Sequence, residues 1–133
     1  MEDEIRVLHD WIKKIEAGDL ILFLAFDQSE LIGICQIGRG GRRSRHVGHF
    51  GISIKASHRG DGIGLQLAKS IITEAIKTMK ISLITLELFA QNEKAHAMYK
   101  KLGFIEYGRL PEAHLYKGKL VEEVLMYKDI DSR

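Results

Sequence analysis

At Arg59-Gly60-Asp61-Gly62-Ile63-Gly64 the apolar pattern of this chain changes period. Upstream, residues 46–56 carry Val47, Phe50, Ile52 and Ile54 and read as a strand. Downstream, Leu65, Leu67, Ala68, Ile71, Ile72, Ala75, Ile76 and Met79 recur at the spacing of one helix face. Glycines in a turn between two such elements permit positive φ and let the backbone approach a ligand. The N–H groups opening the helix lack partners within it, and together with the helix dipole they favour a phosphate. Arg59 is a candidate for an added charge-assisted contact. A tight turn that needs glycine for shape alone is the competing reading. The hexapeptide is not the dinucleotide-binding fingerprint, because its first position is Arg59, and no phosphate loop ending in Gly-Lys-Ser/Thr occurs.

The rest of the chain builds around this turn. Val7, Leu8, Trp11, Ile12 and Ile15 predict an amphipathic helix over residues 4–17, stopped by Gly18. Leu20–Phe26 and Leu31–Ile37 predict a hairpin about the turn Asp27–Glu30. Ile81–Phe89 reads as a strand. Asn92 suits the N-cap of a helix carrying Ala95, Met98, Tyr99 and Leu102, with Gly103 where a C′ glycine belongs. Phe104–Tyr107 and Val121–Tyr127 are the last two predicted strands, with a polar stretch between them. The order α-ββ-β-α-β-α-β-β indicates an α/β fold with a mixed sheet. No repeat, linker or low-complexity tract interrupts it, so residues 1–133 are expected to form a single domain.

Several function classes are disfavoured. Twenty Lys+Arg against 18 Asp+Glu leave a net charge of +2, too balanced to imply a nucleic-acid or membrane partner. The basic loop with Arg42, Arg43 and Arg45 is read as solvated, with contact to phosphate or an acidic substrate, by it and by His58, as the alternative. Cys35 is the single cysteine and sits among Leu31, Ile32, Ile34 and Ile37, so a buried thiol is expected. The acidic start Met1-Glu2-Asp3-Glu4 lacks the layout of a signal peptide. No apolar run approaches the ~20 residues of a membrane span. A soluble, cytoplasmic protein is expected.

Arg59-x-x-Gly62-x-Gly64 between strand and helix resembles the pyrophosphate-binding motif of the GNAT superfamily of N-acetyltransferases. Farther on, Asn92-x-x-Ala95-x-x-x-Tyr99 followed by Gly103-Phe104 resembles that superfamily's second signature. Both motifs occur in order on the expected elements. The resemblance runs roughly from Leu20 to Ile130 and is closest to the branch acting on amino acids and phosphinothricin-like molecules. It implies a mixed, mostly antiparallel twisted sheet flanked by helices, and transfer of an acetyl group from acetyl-CoA to a primary amine by direct attack. Members usually place a strand and further helix before the first hairpin. The chain is therefore expected to lack the usual first strand and part of the N-terminal helical cap, and Leu20–Phe26 to form an uncovered sheet edge that a second copy would cover as a homodimer.

Such a reaction needs a bound thioester, a neutral amine, a polarised carbonyl and a proton for the departing sulfur. The resemblance implies that the pantetheine arm lies along residues 46–56 like an added strand, contacting the backbone of Ile52, Ser53 and Ile54, one of whose N–H groups polarises the carbonyl. Arg59, Gly60, Asp61, Gly62, Ile63 and Gly64 would hold the pyrophosphate. Tyr99, one turn after Ala95, is the candidate general acid. Two roles are open to Asn92: helix cap and pantetheine contact. His49 stands where relatives carry an acidic residue and is the candidate base, with water or Glu87 as alternatives; His46 is read as a surface residue. No metal is expected. Acetylation of a protein N-terminus or lysine is the neighbouring reading, and a non-catalytic CoA-binding module the alternative class.

Overall fold

The computed structural model describes residues 10–130. Six runs become strands, all but the more polar β5 marked by clustered apolar residues: β1 Leu20–Asp27, β2 Glu30–Arg39, β3 Val47–Ile54, β4 Leu83–Phe89, β5 Ile105–Tyr116 and β6 Lys119–Asp129. Of the helix predicted over residues 4–17, residues 10–16 are helical (α1), and residues 4–9 lie outside the described residues. Helices α2 (Ile63–Thr78) and α3 (Glu93–Lys101) come after β3 and β4 respectively.

The strands form one sheet in the order β1-β2-β3-β4-β6-β5. All neighbours are antiparallel except β3 and β4, which are parallel because α2 carries the chain back between them. Strand alternation sends Cys35, Ile37, Phe50, Ile84, Leu86, Val124 and Met126 to one face, where Ala68, Ile71 and Ala75 of α2 and Tyr99 of α3 bury them. Burying each large side chain contributes roughly 1.5–3 kcal/mol. The opposite face carries His49, Thr85 and Glu87. This is the mixed, mostly antiparallel sheet with flanking helices that the resemblance implied.

The end of the chain differs from expectation. The polar stretch after Tyr107 does not separate two short strands, since β5 and β6 pair through most of it as a long hairpin. Ladder bonds come from the main chain, and β5 is an exposed edge, so polar side chains cost little there. Arg109 bridges Glu106 and Glu122, while irregularities between Glu106 and Gly108 and between Leu110 and His114 absorb the register. Lys117 and Gly118, at φ 51° and 77°, make the two-residue turn that suits twisted strands. Among the described residues no helix is long and apolar enough to cross a membrane.

Candidate active site

Strands β3 and β4 part after three register pairs: Val47/Leu83, Gly48/Ile84 and His49/Thr85. Beyond these, β3 runs on to Ile54 and β4 to Phe89 without a ladder between them among the described residues. Main-chain groups alternate sides along a strand. Lys55 N–H donates to Ile32 O and Gly40 N–H to Val47 O, so the odd-numbered residues of β3 face β2. The even-numbered ones face β4, as His46 does when its carbonyl accepts from Ser82 N–H. The main chain of Ile52 and the N–H of Ile54 therefore point into the opening. Ser53 turns its main chain to β2, and the Ile54 carbonyl accepts from Arg59 Nε at 2.9 Å.

The glycine turn closes one end of this opening. Gly60 and Gly62 adopt φ of 89° and 80°, and a Cβ at either would meet nothing within 4 Å. Open space thus lies beside a backbone that only glycine adopts without strain. Gly62 is the N-cap of α2, no side chain caps the helix, and its first turn has no acidic residue. The leading N–H groups of α2 and its dipole are available to an anion. A Cβ on Gly64 would sit 3.7 Å from Met98 Sδ, ordinary contact that shows how closely α2 starts beside α3. Asp61 is exposed and Ile63 half-buried. An open-sided glycine cradle, uncapped N–H groups and a free strand edge together fit the pyrophosphate and pantetheine of a coenzyme A thioester.

Tyr99 lies under the point where the strands part. Its ring packs edge-on against Phe50 and Phe104, each centroid 5.8 Å away. Burial first, and Cys35 second, push its pKa up to about 12, so the phenol keeps its proton. The residue is 6% exposed, and its hydroxyl has no hydrogen-bond partner among the described residues. The second signature's other residues explain this placement. Asn92 Oδ1 accepts from Ala95 N–H at 3.2 Å and caps α3. At the far end Gly103 N–H donates to Lys100 O and Phe104 N–H to Tyr99 O, a Schellman ending that seats Phe104 on Tyr99. Ala95 packs against the core.

On the opposite face His49 and Glu87 meet. His49 Nε2 is 3.2 Å from Glu87 Oε1, and its Nδ1 is 3.2 Å from Thr85 Oγ1. Both candidate bases are half-exposed and belong to one cluster. Thr85 went unnoticed in the sequence. It reaches His49 through a parallel register set by a distant crossover, which leaves no local signal. His46 is exposed. Arg45 and Arg39 fold onto Asp19 and hold its carboxyl below the ordinary range, the Arg45 hydrogen bond foremost. Arg42 and Arg43 remain exposed. A groove of about 510 Å³ between β1 and α2, lined by Leu22, Leu24, Ile63, Gln66 and Leu67 among others, includes none of Tyr99, His49 or Glu87.

A sheet opened between parallel strands above a glycine cradle, with a buried phenol on one side and a His–Glu pair on the other, defines the acyl-CoA N-acyltransferase class of fold. Residues 1–104 match the acetyltransferase (GNAT) family. The chain belongs to that family. It is 33% identical over 99 residues, 71% of its length, to the N-alpha-acetyltransferase MAK3 of Arabidopsis thaliana, and spans about half (50%) of that relative. An acetyltransferase of the GNAT family from Streptococcus pneumoniae superposes with a TM-score of 0.87 at 26% identity, covering 98% of this chain and 77% of that one. A spermidine N-acetyltransferase chimera from Vibrio cholerae and hSSAT gives 0.77 at 26% identity, covering 96% and 75%.

Proposed function

We propose that this protein is an acetyl-CoA-dependent N-acetyltransferase acting on a primary amine of a small molecule such as an amino acid. The carrying observation is the parted β3/β4 edge with Tyr99 on one side and the His49–Glu87 pair on the other. Bound acetyl-CoA supplies an activated thioester, whose C–S bond breaks as the amine forms an amide. The turn Arg59–Gly64 and the first N–H groups of α2 hold the pyrophosphate. The main chain of Ile52, with the N–H of Ile54, aligns the pantetheine and polarises the carbonyl, Ser53 completing the segment. Asn92 caps with Oδ1 and has an amide nitrogen for the pantetheine; Ala95 keeps the adjoining helix surface small. Tyr99 gives its proton to the sulfur.

The amine proton leaves on the other face. With Thr85 Oγ1 at His49 Nδ1 and Glu87 Oε1 at Nε2, the imidazole takes the proton at Nδ1 while the Glu87 carboxylate holds the ring from the other side. The resemblance to an N-alpha-acetyltransferase supports a second acceptor, a protein N-terminus, and the half-exposed His49 and Glu87 leave room for either. A homodimer through β1 is proposed on the same footing. That strand ends the sheet, and Leu24 and Phe26 on it are exposed. The deciding experiment follows thiol release from acetyl-CoA with amino acids, polyamines and N-terminal peptides as acceptors. Tight CoA binding without thiol release for any amine would favour a non-catalytic module.

A further inference from the structure

Resting on the reading of the glycine turn as the cofactor cradle, we propose that His58 is a positioning residue that ties this cradle to the β1–β2 hairpin. After β3 the chain makes a 3-10 turn, Ala56–His58, before entering Arg59 and the glycines. Two side-chain crossings bind that turn to the hairpin tip. Lys55 Nζ meets Glu30 Oε1, and His58 Nε2 lies 2.8 Å from Asp27 Oδ2. Ser57 Oγ is 2.9 Å from His58 Nδ1, so both ring nitrogens are engaged. The neutral tautomer satisfies the set completely, Ser57 O–H donating to Nδ1 and Nε2–H donating to Asp27. His58 is also the best-covered side chain of the crossing, 20% exposed against 56% for Asp27.

The contact gains its importance from the glycines immediately downstream. Gly60 and Gly62 have open space beside them and the least intrinsic order of any residue type. Farther along, α2 is anchored by Ala68, Ile71 and Ala75. Upstream, the Lys55 and His58 crossings and the Arg59 bond to Ile54 O hold the loop. Fixing a residue's backbone costs conformational entropy, so a loop ordered in advance binds phosphate without that loss at the moment of binding. His58 touches neither thioester nor amine, and its effect falls on binding rather than on chemistry. The sequence left His58 between a solvated residue and a phosphate ligand. Its engagement by Asp27 and Ser57 gives it a third role.

The test is CoA affinity by calorimetry and steady-state kinetics on His58→Ala, His58→Gln and Asp27→Ala. Gly62→Glu serves as a control on the cradle itself. His58→Ala should weaken CoA binding by ~3- to 10-fold, since one hydrogen bond to a partly exposed carboxylate is lost. KM for acetyl-CoA should rise alike while kcat stays within about twofold. His58→Gln, whose amide can donate to Asp27, should recover most of the affinity, and Asp27→Ala with His58→Ala should be no worse than either alone. Wild-type affinity in a folded His58→Ala, or a fall in kcat and thermal stability without rescue by glutamine, overturns the proposal. If Gly62→Glu destroys binding while His58→Ala does not, the clamp alone fails. If Gly62→Glu also binds CoA normally, or the wild type binds none, the cradle reading fails with it.

Discussion

Replacing Tyr99 by phenylalanine separates its chemical role from its packing, and the structure makes the two contributions unequal. The ring is held by Phe50 and Phe104, contacts that the phenyl ring of Tyr99→Phe would keep unchanged. The hydroxyl has no partner among the described residues. Leaving a buried polar group without a partner costs about 1–3 kcal/mol, so deleting one that has none should leave stability within ~0.5 kcal/mol or raise it slightly. Tyr99→Ala, by contrast, removes the ring from the core and should cost about 3–5 kcal/mol. Catalysis moves the other way. Loss of a positioned acid typically costs roughly 100- to 10,000-fold, but a CoA thiolate leaves readily and water can substitute, so Tyr99→Phe should lower kcat by about 10-fold or more. CoA affinity should hardly change, and kcat should fall with kcat/KM because the interaction develops only as the sulfur departs. The assays are urea denaturation, calorimetry with CoA and thiol release with the best acceptor. A variant that loses more than ~1.5 kcal/mol of stability would show a structural hydroxyl. One that keeps full turnover would make Tyr99 a wall of the site.

Three further outcomes are expected from other parts of the structure. His49→Ala and Glu87→Gln should each depress kcat/KM, and the double variant should fall no further than the worse single one, as a unit requires; additive losses in thiol release would separate the two residues. Gly103→Ala should cost roughly 1–2 kcal/mol in urea denaturation, because its φ of 93° is left-handed and Lys128 Nζ must retreat from the new Cβ; an unchanged midpoint would refute the capping account. Burial pushes the Cys35 thiol from 9.0 up to about 12, so the folded state holds its proton more tightly than the unfolded chain. Stability present below pH ~9 is therefore lost as pH rises toward 12, by up to ~4 kcal/mol for three pKa units, and Cys35→Val should flatten that decline; rapid native-state reaction with a thiol reagent at pH 8 would contradict it.

What the sequence made legible was whatever short-range geometry dictates. The turn Arg59–Gly64 and the segment from Asn92 to Phe104 were readable because glycine, an N-cap and a C′ position have local causes: positive φ at Gly62 and Gly103, and Asn92 Oδ1 on Ala95 N–H. The length of β5 was not readable, since its residues 108–116 are polar or interrupted and pair only because β6 lies alongside. Nor was the meeting of His49, Thr85 and Glu87. Side chains from separate strands come together through a parallel register that no neighbouring residue encodes.

The same distinction bears on the second signature itself. Asn92 and Gly103 end α3, Phe104 is drawn onto Tyr99 by the Schellman hydrogen bonds, and Ala95 packs against the core. Much of the signature therefore shapes the short helix that carries Tyr99. Residues of the motif that look like binding groups are, in physical terms, the means by which a nine-residue helix is started, stopped and turned. They hold the Tyr99 ring against Phe50, the β3 residue just past the last register pair with β4. On that account, substitutions at Gly103 or Phe104 should lower turnover through displacement of Tyr99, with CoA affinity falling only as far as α3 itself is disturbed.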